Sequence, residues 1–437
     1  METKNYDEMM SRTKWFRDVR YGAFIHWGIY SVPARGEWVK SSEKLDDEKY
    51  QQYFDDFNPD LFDAEEWAKL IKKSGMKYAV MTAKHHDGYC LFDSKLTDYT
   101  SQKNVGRDLI REYLEAMRKH DIKVGLYYSL VDWHHPDYPA YGDRQHPMRD
   151  HPEWKEKKHN FDNYLAYMHG QIKELLTNYG TIDIIFFDFS YWNMKGEAWK
   201  ATRLVRMIRE LQPDIIINNR LGGDMEAEEP QLYAGDYESP EQCIPVHMLR
   251  NHKGQLLPWE LNITLNNSWG YVATDHVYKD ASFVIRTLVE CVSKNGNLLV
   301  NIGPNGRGEI PKKTREILLE VGDWLYYNGD SIYGCGPADI KTPQWGKLTQ
   351  SGKTVYVHVF LPVVGHMNME GMKGKIKSAY VVADHAEVIV TPFWNEDNLV
   401  SKQDSPDDIY LSFGSPVNAT YALPDKRATV IKLCFNS

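Results

Sequence analysis

Cysteine is scarce in this sequence. Five occur in 437 residues (Cys90, Cys243, Cys291, Cys335 and Cys434), an odd number at wide spacings with no CxxC. That pattern excludes a zinc ribbon and a disulfide framework, so the expectation is free thiols in a reducing, cytoplasmic setting. Long hydrophobic runs are also missing: none reaches the ~20 residues that a membrane helix needs. The first residues, METKNYDEMMSRTKWF, are polar and lack the apolar stretch of a signal peptide. Positive charge is in deficit, with 52 Lys and Arg against 61 Asp and Glu for a net charge of −9. A nucleic-acid partner, which demands a basic surface, is therefore not expected. Neither GxGxxG nor a Walker loop follows the early apolar runs, and HExxH is absent.

What is present points elsewhere. Hydrophobic residues make up 42% and charged residues 26%, which supports a packed core rather than disorder. The length fits one large domain and one small one. Aromatics reach 13%, a composition that suits either a large aromatic core or a site where sugar faces stack on rings. The 16 histidines cluster, notably as His85-His86-Asp87 and His134-His135.

Eight apolar runs alternate with amphipathic stretches, at 21–28, 76–83, 123–129, 182–189, 215–219, 232–238, 257–264 and 296–303. Continuous apolar runs of this length suit strands buried on both faces, as in a parallel sheet. Helical periodicity marks 107–120, 161–179 with Gly180 as its stop, and a segment opened by Pro311. The fold class expected is α/β, an irregular (β/α)8-like TIM barrel spanning 1–336. The irregularity lies on the side of 219–232 and 238–257, which show no helical pattern. An open doubly wound sheet is the alternative. From 337 to 437 the texture changes to alternating strands at 353–360, 375–382, 386–391, 408–413 and 428–434, the pattern of a small antiparallel β-sandwich.

In such a barrel the chemistry sits at the C-terminal strand ends. Those ends read His26-Trp27-Gly28, Lys84-His85-His86-Asp87, Tyr127-Tyr128-Ser129, Phe187-Asp188-Phe189, Asn218-Asn219-Arg220, Ser239-Pro240-Glu241 and Trp259-Glu260. Two carboxyls on different strand ends suit glycoside cleavage, one as nucleophile and one as acid. Asp188 ends a strongly apolar run, and a carboxylate there is costly unless paired or used. Arg220 on the next strand is a natural partner that keeps it ionised; a purely structural Asp–Arg pair is the competing reading. Glu238, Glu241 and Glu260 compete for the acid role. No metal is expected, because adjacent histidines on an extended segment point apart. A neutral imidazole, which both donates and accepts, suits a sugar hydroxyl better. His134 and His135 are the most plausible strand-end caps.

The blocks WFRDVRYGAFIHWGIYSVPARGEWV, MKYAVMTAKHHDGYCLFDS, NNR, SPEQ, WE with SWGY after it, and GNLLVNIGPNGRGEIP together resemble glycoside hydrolase family 29, the α-L-fucosidases. They occur in family order, from about Trp15 to Trp324. The resemblance implies a retaining, exo-acting double displacement on fucosylated oligosaccharides or glycoconjugates, with no cofactor. It implies Asp188 as nucleophile and selects Glu241 as acid/base, with Glu260 as second choice. It implies a fucose-contacting set of His26, Glu37, Trp38, His85, His86, Tyr128, Arg220 and Trp269. Trp38 and Trp269 would wall the C5 methyl group of this 6-deoxy sugar. The sequence departs from the family in FFDFS, where many members have Trp before the Asp, and in WEL for the commoner WET. The alternatives are a catalytically inactive fucose-binding lectin on the same scaffold, an α-L-galactosidase, and a metal-dependent barrel hydrolase.

Overall fold

The structure is a computed structural model, and it describes residues 5–140, 143–364, 367–391, 407–414 and 422–436. Seven parallel strands form the first sheet: β1 (Tyr21–Ile25), β2 (Tyr78–Lys84), β3 (Lys123–Ser129), β4 (Ile184–Asp188), β5 (Ile216–Ile217), β6 (Trp259–Ile263) and β7 (Gly296–Ile302). Their order is β5-β4-β3-β2-β1-β7-β6, a TIM-like barrel wall whose two edges are β5 and β6.

The run at 232–238, expected as an eighth strand, is not one. It fills the gap between the edges with single parallel bridges, Asn218 to Tyr237 on one side and Glu238 to Trp259 on the other. The cause is local. Asp236 donates its own N–H to the Ile217 carbonyl at 2.5 Å and accepts the Ile217 N–H on its side chain at 2.8 Å. A carboxylate thus takes the place that a strand carbonyl would hold, and a ladder cannot continue past it. Gly235 beside it has φ +90°, and a Cβ there would stand 2.6 Å from the Asn218 backbone. No helix forms within 219–232 or 238–257, so the irregular side lies where the sequence places it.

Strand side chains alternate between two cores. Phe24, Tyr78, Val80, Tyr127, Ile184, Phe186, Ile216, Tyr237 and Leu299 fill the barrel interior with Phe16 as its plug. Ile25, Ala79, Leu126, Tyr128, Ile185, Phe187, Leu298 and Val300 face the surrounding helices. The helices expected from periodicity are Leu109–Lys119, Phe161–Asn178 and Lys312–Asn328. The second takes Gly180, at φ +70°, just past its end, and the third takes Pro311 as its N-cap.

Among the described residues the second sheet has seven antiparallel strands, β8 (Lys347–Ser351), β9 (Thr354–Val359), β10 (Met367–Met369), β11 (Ile376–Val381), β12 (Glu387–Thr391), β13 (Ile409–Ser412) and β14 (Thr429–Phe435). It curls about its own apolar core, including Val357, Met369, Val381 and Ile431. β8 and β10 were not legible in the sequence, being short and partly polar. The two sheets' units pack directly: the Trp324 indole N–H donates to the Ala428 carbonyl at 2.8 Å, and Arg286 donates to the Phe360 carbonyl at 2.9 Å. Among the described residues, no helix is long and apolar enough to cross a membrane.

Candidate active site

Asp188 is the last residue of β4 and shares its parity with Ile184 and Phe186, so its carboxylate points into the barrel mouth. Both oxygens are engaged. Tyr127 donates its hydroxyl to Oδ2 at 2.7 Å, and Arg220 donates Nη1–H to Oδ1 at 2.7 Å. Burial and the adjacent Asp188 charge raise the Tyr127 phenol well above its ordinary value, so it remains a donor. The other arm of Arg220, Nη2, donates to Glu241 Oε2 at 2.9 Å. One guanidinium thus links two carboxyls, one recessed and one at the rim. Arg220 is held on its far side by the Ser239 hydroxyl at 3.2 Å and the Ser239 carbonyl at 3.1 Å. Glu238, the third acid considered, accepts from the Asn219 amide.

Beside the carboxyls stand three neutral histidines. Burial pushes His26 down to about 4 and holds His85 and His86 well below the usual imidazole value. Hydrogen bonding settles two tautomers. The Asn301 amide donates Nδ2–H to the Trp269 carbonyl at 2.7 Å, so its Oδ1 is the atom facing His26 Nδ1 at 2.7 Å. His26 must therefore donate from Nδ1, which leaves Nε2 as an acceptor. Ser129 donates its hydroxyl to the Val131 carbonyl at 2.7 Å, so it accepts from His86 Nδ1 at 2.7 Å. His86 Nε2, 4.0 Å from Asp188 Oδ2, is likewise an acceptor. His85 stacks on Tyr127 with centroids 5.5 Å apart, and its buried Nδ1 has no protein partner among the described residues.

Glu37 and the two tryptophans complete the wall. Burial raises the Glu37 carboxyl above its ordinary value, against the pull of the Gly270 N–H, which donates to it at 2.7 Å. That approach requires glycine, since a Cβ on Gly270 would lie 2.8 Å from the Glu37 nitrogen. Trp269 lies over His26 at 5.1 Å, and Trp38 packs on His86 at 5.0 Å and on Phe189 at 5.4 Å. Phe189, directly after Asp188, has φ +82°. A bulky residue held there costs about 1–3 kcal/mol, which the surrounding packing must offset.

The structure therefore brings together Asp188, Glu241, Arg220, His26, His85, His86, Glu37, Trp38 and Trp269. It separates two others. Tyr128 faces outward and donates to Gln171 at 2.7 Å, under the Lys84 ammonium 4.6 Å from its ring. Strand parity puts Tyr127, not Tyr128, in the barrel mouth. Glu260 points into the barrel but at the opposite end. It is in register with Asn297 and bonded by the Tyr78 hydroxyl. Asn301, which holds His26, lies four residues farther along the same strand, about 13 Å at strand rise. Sequence reasoning named Tyr127, Ser129 and Phe189 only as strand-end residues without a role in the site, and it missed Asn301. Counting alternate residues back from Asp188 and His26 to the apolar interior was the signal available for Tyr127.

Comparison with known proteins gives the family. A family model described as Alpha-L-fucosidase matches residues 1–330. The chain is similar to alpha-L-fucosidase isoenzyme 1 from Paenibacillus thiaminolyticus, at 54% identity and TM-score 0.94 over 98% of this chain and 100% of that one. It is similar to an alpha-L-fucosidase from Bacteroides thetaiotaomicron solved as a trapped covalent intermediate with 2-fluoro-fucosyl fluoride. There the identity is 28% and the TM-score 0.80, over 100% of this chain and 98% of that one. The human tissue alpha-L-fucosidase is 32% identical over 391 residues, 82% of this chain and 77% of that protein.

Proposed function

The chain belongs to the alpha-L-fucosidases of glycoside hydrolase family 29, and from that premise we propose how its own side chains divide the work. The family reaction is retaining removal of terminal α-L-fucose by double displacement through a fucosyl–aspartate ester. In the proposed division, Asp188 is the nucleophile and Glu241 the acid/base. An Asp188 oxygen bonds to the anomeric carbon as the glycosidic C–O bond breaks, and the Glu241 proton passes to the departing oxygen. Water then attacks the anomeric carbon, its proton goes to Glu241, and the ester C–O bond breaks to release α-fucose. Arg220 and Tyr127 aim Asp188, and the same guanidinium holds Glu241 in reach of the scissile oxygen.

The acceptor nitrogens of His26 and His86, with His85 and Glu37, take up the sugar hydroxyls. Trp38 and Trp269 offer apolar faces to the C5 methyl. The observation that carries this reading is the single guanidinium bridging two carboxyls beside a set of neutral histidines. Inactive-lectin and galactosidase readings are not favoured, since both carboxyls are in place and the relatives are fucosidases.

The test is hydrolysis of 4-nitrophenyl α-L-fucoside by wild type and Asp188→Ala with EDTA present, the first-formed anomer being followed by proton NMR. Wild-type turnover giving α-fucose, lost in the folded variant, is expected. Wild-type turnover rates in Asp188→Ala, or β-fucose as first product, would sink the assignment.

A further inference from the structure

A cleft of about 570 Å³ opens beside Asp188 and Arg220 and runs outward past Asn219 and Tyr191 to Arg144 and Trp192. Its size lies in the ~300–1,000 Å³ range of small-molecule sites. The fucose wall comes from the ends of β1 and β2 and from the segment carrying Trp269. The cleft is built instead by the loops after β3, β4 and β5. Asp188 belongs to both.

Trp192 is anomalous in this cleft. It is 57% exposed, and its backbone sits at φ +49°, a region that bulky side chains avoid. It gains no core packing to offset that conformation. Its neighbours nevertheless hold it in place. The Arg144 guanidinium lies 4.1 Å from the ring centroid, and the Tyr191 ring meets it edge-on at 5.8 Å. Tyr191 in turn donates its hydroxyl to Asp143 at 2.5 Å. Buried Asp143 also accepts from the Trp133 indole at 3.1 Å, the Tyr138 hydroxyl at 3.0 Å and the Gln145 N–H at 2.8 Å. One carboxylate thereby ties the loop after β3 to the loop after β4, and through Trp133, which packs on Trp38 at 5.5 Å, to the fucose pocket.

We propose that this cleft is the subsite for the sugar that carries the fucose, with the exposed Trp192 indole as its stacking platform. The proposal rests on the fucosidase reading above and adds the leaving group's binding site to it. A flat indole held at a fixed angle, in space continuous with the nucleophile, is complementary to the C–H face of a pyranose ring. The ligand class is a hexose or N-acetylhexosamine, with Arg144 as an adjoining donor to its oxygens. Asp143 is a positioning residue for this platform.

The experiment compares kcat/KM of wild type, Trp192→Ala and Trp192→Phe on two substrates. One is α-L-fucosyl fluoride, whose leaving group is no sugar. The other is whichever fucosyl disaccharide, among the 1→2, 1→3, 1→4 and 1→6 linkages, the wild type cleaves fastest. Trp192→Ala is expected to lose about tenfold or more in kcat/KM on the disaccharide relative to the fluoride, mainly through KM, with Trp192→Phe recovering most of it. Equal losses on both substrates, or none on the disaccharide, would overturn the subsite and leave Trp192 as a contact for another macromolecule. A wild type inert toward the fluoride would overturn the fucosidase reading itself, and the subsite with it.

Discussion

The Arg220 guanidinium donates one arm to Asp188 at 2.7 Å and the other to Glu241 at 2.9 Å, so a single cation links the two carboxyls proposed to react. Lysine offers a point charge where arginine offers a planar fork. Arg220→Lys is expected to leave the fold intact and lower kcat/KM on 4-nitrophenyl α-L-fucoside by roughly 10- to 100-fold, since a desolvated charge pair of this kind is worth a few kcal/mol. Steady-state kinetics with circular dichroism check it; wild-type kcat/KM in the variant would show that the bridge is incidental.

The acid role divides Glu241 from Glu260 by a rescue test. Glu241→Ala should lose most turnover on natural fucosides and regain it on an activated aryl fucoside when azide is added, giving fucosyl azide. Glu260→Ala should show no rescue, because its carboxyl is buried inside the barrel and taken by the Tyr78 hydroxyl. Azide rescue in the Glu260 variant alone would reverse the assignment.

Tyr127 and Tyr128 are neighbours in sequence with opposite fates. Tyr127→Phe removes a charge-assisted hydrogen bond to Asp188, the proposed nucleophile, and should lower kcat by about tenfold or more. Tyr128→Phe removes a buried bond to Gln171 and should cost about 1 kcal/mol of stability with kcat retained. Thermal denaturation and kcat measured on both variants test the pair; a catalytic defect in Tyr128→Phe with none in Tyr127→Phe would refute the strand parity.

Burial raises the Glu260 carboxyl from 4.5 to about 8, because the barrel floor withdraws it from water. A raised carboxyl binds a proton in the folded state that the unfolded chain has released. The contribution of this group to stability is therefore whole below about pH 4.5 and is lost as pH rises to about 8. Glu260→Gln removes this slope. The melting temperature of the variant minus that of wild type should grow between about pH 5 and about pH 8; a constant difference would mean that Glu260 is ionised throughout.

Much of the architecture is written in local pattern. Unbroken apolar runs required strands buried on two faces, and the polar groups ending each run marked the mouth of the barrel. The exception at 232–238 arose because Asp236 bonds the Ile217 backbone through its side chain, a long-range pairing that periodicity does not register. The strands β8 and β10 escaped for reasons of their own: β8 (KLTQS) carries one apolar residue, and the three residues of β10 show too little alternation to stand out.

By itself the sequence determined the residue types of the site and the strand ends that carry them, since FIHWG, KHHDG, GEW and the Asp at the end of β4 are contiguous signals. Tertiary structure alone decided which of those groups meet. Facing is set by strand parity against the barrel axis, which turned Tyr127 inward and Tyr128 outward. Depth is set by register between strands distant in sequence, which left Glu241 at the mouth and sank Glu260 to the floor. Both are properties of pairing between chain segments, and a one-residue slip in either would have exchanged every side chain's role.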